Sequence, residues 1–127
     1  MIRLSELRLP LTELPTDTEQ HPEAALRALA AQALGLGQPE AIATLQVYKR
    51  SFDARKPVLL AVYIVDVALA DPAQEATLLL QHANHPHIQP TPDMAWKPVG
   101  QAPAALSDRP VVVGFGPCGI FAALVLA

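Results

Sequence analysis

The sequence predicts an α+β fold. Residues 1–83 read as a ferredoxin-like βαββα(β) sandwich, and residues 110–127 as an incomplete Rossmann β-turn-α. Three observations point there. Two β-rich runs, 42–50 and 58–69, stand a hairpin length apart. A segment of helical period flanks the pair on each side, with start and stop residues at its ends. The C-terminal stretch sets three glycines between a valine run and an apolar helical pattern.

The first element is a short strand from Ile2 to Leu9, in which Ile2, Leu4, Leu7 and Leu9 are broken by polar residues. Pro10 ends it, because proline cannot donate to a ladder. The first helix is expected from about Pro22 to Leu34. Leu26, Leu29, Ala30, Ala33 and Leu34 build one face, and Gly35 and Gly37 stop it.

In the strand from Ile42 to Arg50, Ala43, Leu45 and Val47 share one side. The run from Val58 to Leu69 is apolar on both faces except at Asp66, so it belongs in the middle of the sheet. A buried carboxylate needs a partner, and Arg3 or Arg8 on the first strand could supply it. Ser51 to Pro57 reads as the connecting loop.

The second helix, about Pro72 to Gln81, has Asp71 as N-cap, Pro72 at its first position and Gln74 placed for a capping box. A weak edge strand near His87–Gln89 would complete the sandwich. Residues 84–109 read as a connector, since they hold five of the thirteen prolines and no clear period. Trp96 is expected to anchor this connector on the domain surface.

Bulk properties narrow the function. A net charge of −3 offers no broad basic field, and aromatic residues are only 5% of the chain. Nucleic acid is therefore not an expected partner. The single cysteine, Cys118, excludes an internal disulfide, and with a charged, non-signal N-terminus it points to a cytoplasmic protein. The uncharged stretch from Val111 is broken by glycines and proline and is shorter than the ~20 residues of a membrane span, so no membrane role is expected.

The tail RPVVVGFGPCGIFAALVLA carries the clearest chemistry. Val111–Val113 reads as a strand buried in a parallel sheet. Gly114, Gly116 and Gly119 follow at G-x-G-x-x-G spacing, and Pro117 suits a first helical position. Gly114 permits a tight turn, Gly116 a close pyrophosphate, and Gly119 a close helix–strand approach. The N–H groups of the helix start would hold the anion. The competing reading is a glycine-rich turn in an ordinary α/β core.

Other clusters are weaker. His82, His85, His87 and Asp93 suggest a metal only superficially, because they fall in the proline-rich stretch; solvated loop histidines are the default, and no metal site is expected. Lys49, Arg50, Arg55 and Lys56 read either as an anion or partner surface or, preferably, as a solvated hairpin tip with Asp53 paired to Arg50 or Arg55. Cys118 reads as a packing residue rather than a redox centre. No catalytic residue is visible.

The segment GFGPCGIFAAL resembles the V-V-G-x-G-P-x-G-x-x-A-A opening of two-dinucleotide-binding flavoproteins. The leader IRLSELRLPL, the hairpin KRSFDARK, the segment QPTPD and the tail together resemble the start of a family of bacterial FAD-dependent dehydrogenases. The resemblance implies the N-terminal part of an FAD-dependent oxidoreductase, with Gly114, Gly116, Pro117 and Gly119 at the FAD pyrophosphate. Phe115 and Cys118 stand where such proteins commonly have alanine. The acidic ribose ligand about 20 residues further on and the second strand are absent from these residues. The chain is thus expected to be a fragment, inactive alone and binding FAD weakly or not at all. Its expected partners are the remainder of the FAD domain and, through the exposed apolar C-terminal helix, other copies of itself. The alternative is a free-standing binding module that uses the basic 49–56 hairpin.

Overall fold

The computed structural model describes residues 1–17, 20–55, 57–98, 100–101 and 103–127. It divides into two units, Met1–Pro92 and Asp93–Ala127.

The first unit runs β1 (Ile2–Pro10), α1 (Glu23–Leu34), β2 (Ile42–Asp53), β3 (Leu60–Leu69), α2 (Pro72–Gln81) and β4 (Ile88–Pro90). The strands form one antiparallel sheet in the order β2-β3-β1-β4. The fold is α+β, as the patterning predicts. One face of β3, from Ala61 through Tyr63, Val65 and Val67 to Leu69, joins Ile2, Leu4, Leu7 and Leu9 in a single core. Leu26 and Leu34 of α1 and Leu78 of α2 enter the same core. The opposite sheet face carries Arg3 and Asp66 beside the apolar Val62 and Ile64.

The β1 pattern contains a parity problem, because Leu4 and Leu7 are an odd number of residues apart yet both are buried. A bulge resolves it. Leu4 pairs with Val65 and Leu7 with Tyr63, so β1 has one residue more than β3 over this stretch. Glu6 adopts φ +62° there, a left-handed conformation unusual for a residue with a side chain.

β2 bulges between Ile42 and Thr44 and again between Val47 and Lys49. The first bulge turns Ile42 inward and leaves Ala43 exposed, against the expected alternation. The hairpin is also tighter than expected. Ser51, Phe52 and Asp53 are not loop residues but pair with Val62, Ala61 and Leu60.

On α1, Leu26, Ala30, Ala31 and Leu34 are buried, whereas Ala33 is exposed, so the inward face is rotated from the predicted one. Gly35 closes the helix at φ +66°. Arg27 ties α1 to the start of β2 by donating to the Ile42 carbonyl at 2.6 Å. On α2, Asp71 caps by accepting from the Ala73 N–H at 2.9 Å. Glu75, rather than the expected Gln74, reaches out of the first turn, accepting from the Leu69 N–H and pairing with the N-terminal ammonium.

β4 carries the first unit to Pro92, beyond the boundary expected at residue 83. Ile88 lies opposite Leu4 and is 4% exposed, so this short strand closes one end of the core. Thr91 fixes the exit of the chain, donating its N–H to the Met1 carbonyl and its hydroxyl to Asp66.

In the second unit the regular element is α3, Pro117–Leu126. No helix among the described residues is long and apolar enough to cross a membrane.

Candidate functional site

The glycine-rich turn leads into α3. Val111–Val113 is not a buried strand: among the described residues no strand pairs with it, and Val113 is 94% exposed. A strand gains its hydrogen bonds only from a neighbour, which explains the difference from the expectation.

The three glycines do different physical work. Gly114 has φ +113°, a conformation that side chains rarely adopt. Gly116 is the N-cap of α3 and is extended, with φ −87° and ψ 178°. A Cβ placed on Gly116 meets nothing within 4 Å, so the space over it is open. Gly119 is the opposite case. A Cβ there would collide with the Gly114 carbonyl oxygen and stand 3.1 Å from its carbon and 3.6 Å from Val112 Cγ1. The first turn of α3 therefore lies directly on the Gly114 backbone, beside the Val112 side chain.

Pro117 occupies the first position of α3 without losing a hydrogen bond, and the Ile120 N–H donates to the Gly116 carbonyl at 3.0 Å. The amides before Ile120 have no acceptor within the helix and lie at its positive end. Such an end receives an anion through backbone groups. Cys118 is exposed in this turn. A groove of about 510 Å³ runs beside α3 between Pro110, Val112, Ala123 and Leu126. Phe121, Leu124, Val125 and Leu126 are exposed as well, so the helix is apolar all round and uncovered.

The remaining candidates fall elsewhere. At the β2–β3 hairpin, Arg55 grips both oxygens of Asp53 at 2.8 and 2.7 Å. That side-chain contact, with the Arg55 backbone N–H, holds the Asp53 carboxyl well below the usual range. Arg50 lies 5.6 Å from the centre of the Phe52 ring. Lys56 lies outside the described residues. A groove of about 470 Å³ here is lined by Glu6, Arg8, Asp53 and Arg55, two acids and two bases already paired within the chain.

His82, His85 and His87 do gather, with successive ring centres 5.8 and 5.9 Å apart. No group of three or more metal-ligating side chains among the described residues is arranged to hold an ion. Trp96 falls in the second unit and is 74% exposed. Asp66 takes Arg3, not Arg8, as its partner.

Two features were not foreseen. Arg3 also lies over the Tyr48 ring, its Cζ 3.8 Å from the ring centre. The hydroxyl of Tyr63 is fully buried and has no hydrogen-bond partner among the described residues. The second depends on which face each β3 residue takes, which an apolar run on both faces conceals; the first joins β1 to β2 across β3 and so depends on the strand order.

Comparison with known proteins places the first unit. The family model described as "Domain of unknown function (DUF8436)" matches residues 1–68, which span β1 through most of β3. A protein of Clostridium beijerinckii described as "Uncharacterized protein" is 37% identical over 89 residues, 69% of this chain. Those 89 residues are 16% of the relative, which is therefore about 560 residues long. The chain belongs to the DUF8436 family.

Proposed function

We propose that this DUF8436 member is the leading part of an FAD-dependent oxidoreductase: a ferredoxin-like domain followed by the first β-turn-α of the cofactor-binding domain. The packing of Gly119 on the Gly114 carbonyl carries the reading. It accounts for the third glycine of G-x-G-x-x-G by close helix–backbone approach. The open space over Gly116 suits a pyrophosphate coming close to the backbone. The uncovered apolar surface of α3 suits a helix that packs on a parallel sheet. The relative's length of about 560 residues leaves ample chain for such a domain.

In this reading Gly116, Cys118 and Gly119 offer backbone N–H groups to the pyrophosphate, and Pro117 holds the helix start in place. FAD would supply the redox chemistry. The four residues expected at the cofactor, Gly114, Gly116, Pro117 and Gly119, thus divide into turn formers and anion contacts. The strand order β2-β3-β1-β4, with each helix linking two strands separated by a third, supports the ferredoxin-like reading of the leader.

The test is the visible absorption spectrum of the protein purified from its whole reading frame. The two-band spectrum of bound oxidised flavin is expected. A colourless protein that takes up no added FAD would refute the proposal.

A further inference from the structure

The segment joining α2 to β4 holds three of the four histidines, and they fasten the strand they precede. The His87 N–H donates to His85 Nδ1 at 3.2 Å. His87 Nδ1 and Ser5 Oγ on β1 are 3.0 Å apart, and the Ser5 N–H donates to the His87 carbonyl at 3.0 Å. His82 is the C-cap of α2, its ring 5.8 Å from that of His85, which is in turn 5.9 Å from that of His87. The strand held in this way, β4, has three residues, the last of them a proline.

We propose that this histidine row is a proton-sensitive latch that holds β4 on the sheet near neutral pH and releases it on mild acidification. The latch needs His85 neutral at Nδ1, because an imidazolium carries a proton on both nitrogens and cannot accept the His87 N–H. Imidazole is the side chain that ordinarily changes charge between pH 5 and 8. Charging neighbouring rings also places like charges about 6 Å apart.

The groups facing the row are few. From β1 come Ser5 and the Glu6 carboxylate, which Arg8 already engages. From α1 comes Ala33, which is uncharged. From α2 come the last backbone carbonyls, which carry partial negative charge. Glu6 thus moderates the repulsion but offers nothing to replace the lost acceptor. Opening β4 would uncover Ile88 and lengthen the chain that leads to Asp93.

The test is amide hydrogen exchange on the whole chain at about pH 7.5 and about pH 5.5, corrected for intrinsic exchange rates. Protection of Ser5, Ile88 and Thr91 should fall roughly two- to tenfold at the lower pH, the effect of losing a hydrogen bond of this kind. Val65, between β1 and β2, serves as the unaffected reference. His85→Asn keeps an acceptor near the Nδ1 position and cannot charge. The latch is supported if protection falls at least twice as far in the wild type as in His85→Asn. It is overturned by any smaller difference, including no fall in either protein.

Discussion

Arg3 and Asp66 stand directly opposite each other in the β1·β3 ladder, and the guanidinium donates to both carboxylate oxygens, Nε at 2.8 Å and Nη2 at 2.7 Å. The same guanidinium covers the Tyr48 ring, and Asp66 also accepts from Thr91. Four segments of the first unit are thereby joined on the sheet face away from the helices: β1, β2, β3 and the exit after β4. Asp66 is 8% exposed, so removing its charge leaves Arg3 poorly solvated as well as unpaired.

Asp66→Ala should therefore lower stability by about 2 kcal/mol, the scale of charge-assisted hydrogen bonds. Urea unfolding measures it. A loss below about 0.5 kcal/mol would place the pair among surface ion pairs of little weight.

Acid should act through the same residues. The Arg3 hydrogen bonds, opposed by burial and helped by Thr91, hold the Asp66 carboxyl below its usual range. Burial pushes Glu75 up, but the N-terminal ammonium and the Leu69 N–H outweigh it, so Glu75 is also lowered. In both cases the unfolded chain takes up the proton first as pH falls. The stabilisation is full above the ordinary carboxylate range and is lost as pH drops through it, below about pH 4. Stability measured from pH 6 to pH 3 should decline more steeply for wild type than for Asp66→Asn. Parallel curves would contradict the assignment.

Tyr63→Phe should stabilise the protein by about 1 kcal/mol. The hydroxyl is buried without a partner, so deleting it removes a desolvation cost and keeps the ring. His21, edge-on to that ring at 5.7 Å, keeps its contact. The midpoint of thermal unfolding reports the change; a fall would mean that the hydroxyl bonds to something in solution.

Glu6 separates backbone from side chain. At φ +62°, Glu6→Gly relieves left-handed strain but gives up an exposed ion pair with Arg8. The net change should be within about 1 kcal/mol of zero. Glu6→Val adds a β-branched side chain where it is least tolerated and should cost more than about 1 kcal/mol. Equal effects from the two substitutions would show that the bulge relaxes freely.

Much of the first unit could be read before it was seen. The helical periods, Gly35 and Asp71 marked α1 and α2, because caps and periodicity are local properties; β4 was legible only weakly, from the sandwich that an edge strand near His87–Gln89 would complete, since Pro86 and Pro90 disfavour a strand there. The three bulges were not readable as such. Their trace in β1 is the broken parity of Leu4 and Leu7, and no glycine marks Glu6. The inward face of β3 was hidden because Val62 and Ile64 make the outer face apolar too. That concealed the orphan hydroxyl of Tyr63. At the C-terminus the glycine spacing was legible, but the valine run was not a strand, because strand pairing depends on residues outside the motif.

Gly116 provides the sharpest test of the cofactor reading. A methyl group there meets no protein atom within 4 Å, unlike one at Gly119, so Gly116→Ala should leave folding unchanged. Only something bound over the turn would feel it. The measurement is the flavin content of protein purified from the whole reading frame, wild type beside Gly116→Ala. Flavin bound to the wild-type chain is expected, with a severe loss in the variant at an unchanged unfolding midpoint, because a methyl group at the second glycine stands where the pyrophosphate approaches the backbone. Flavin retained in full by Gly116→Ala, or absent from the wild type, would contradict it.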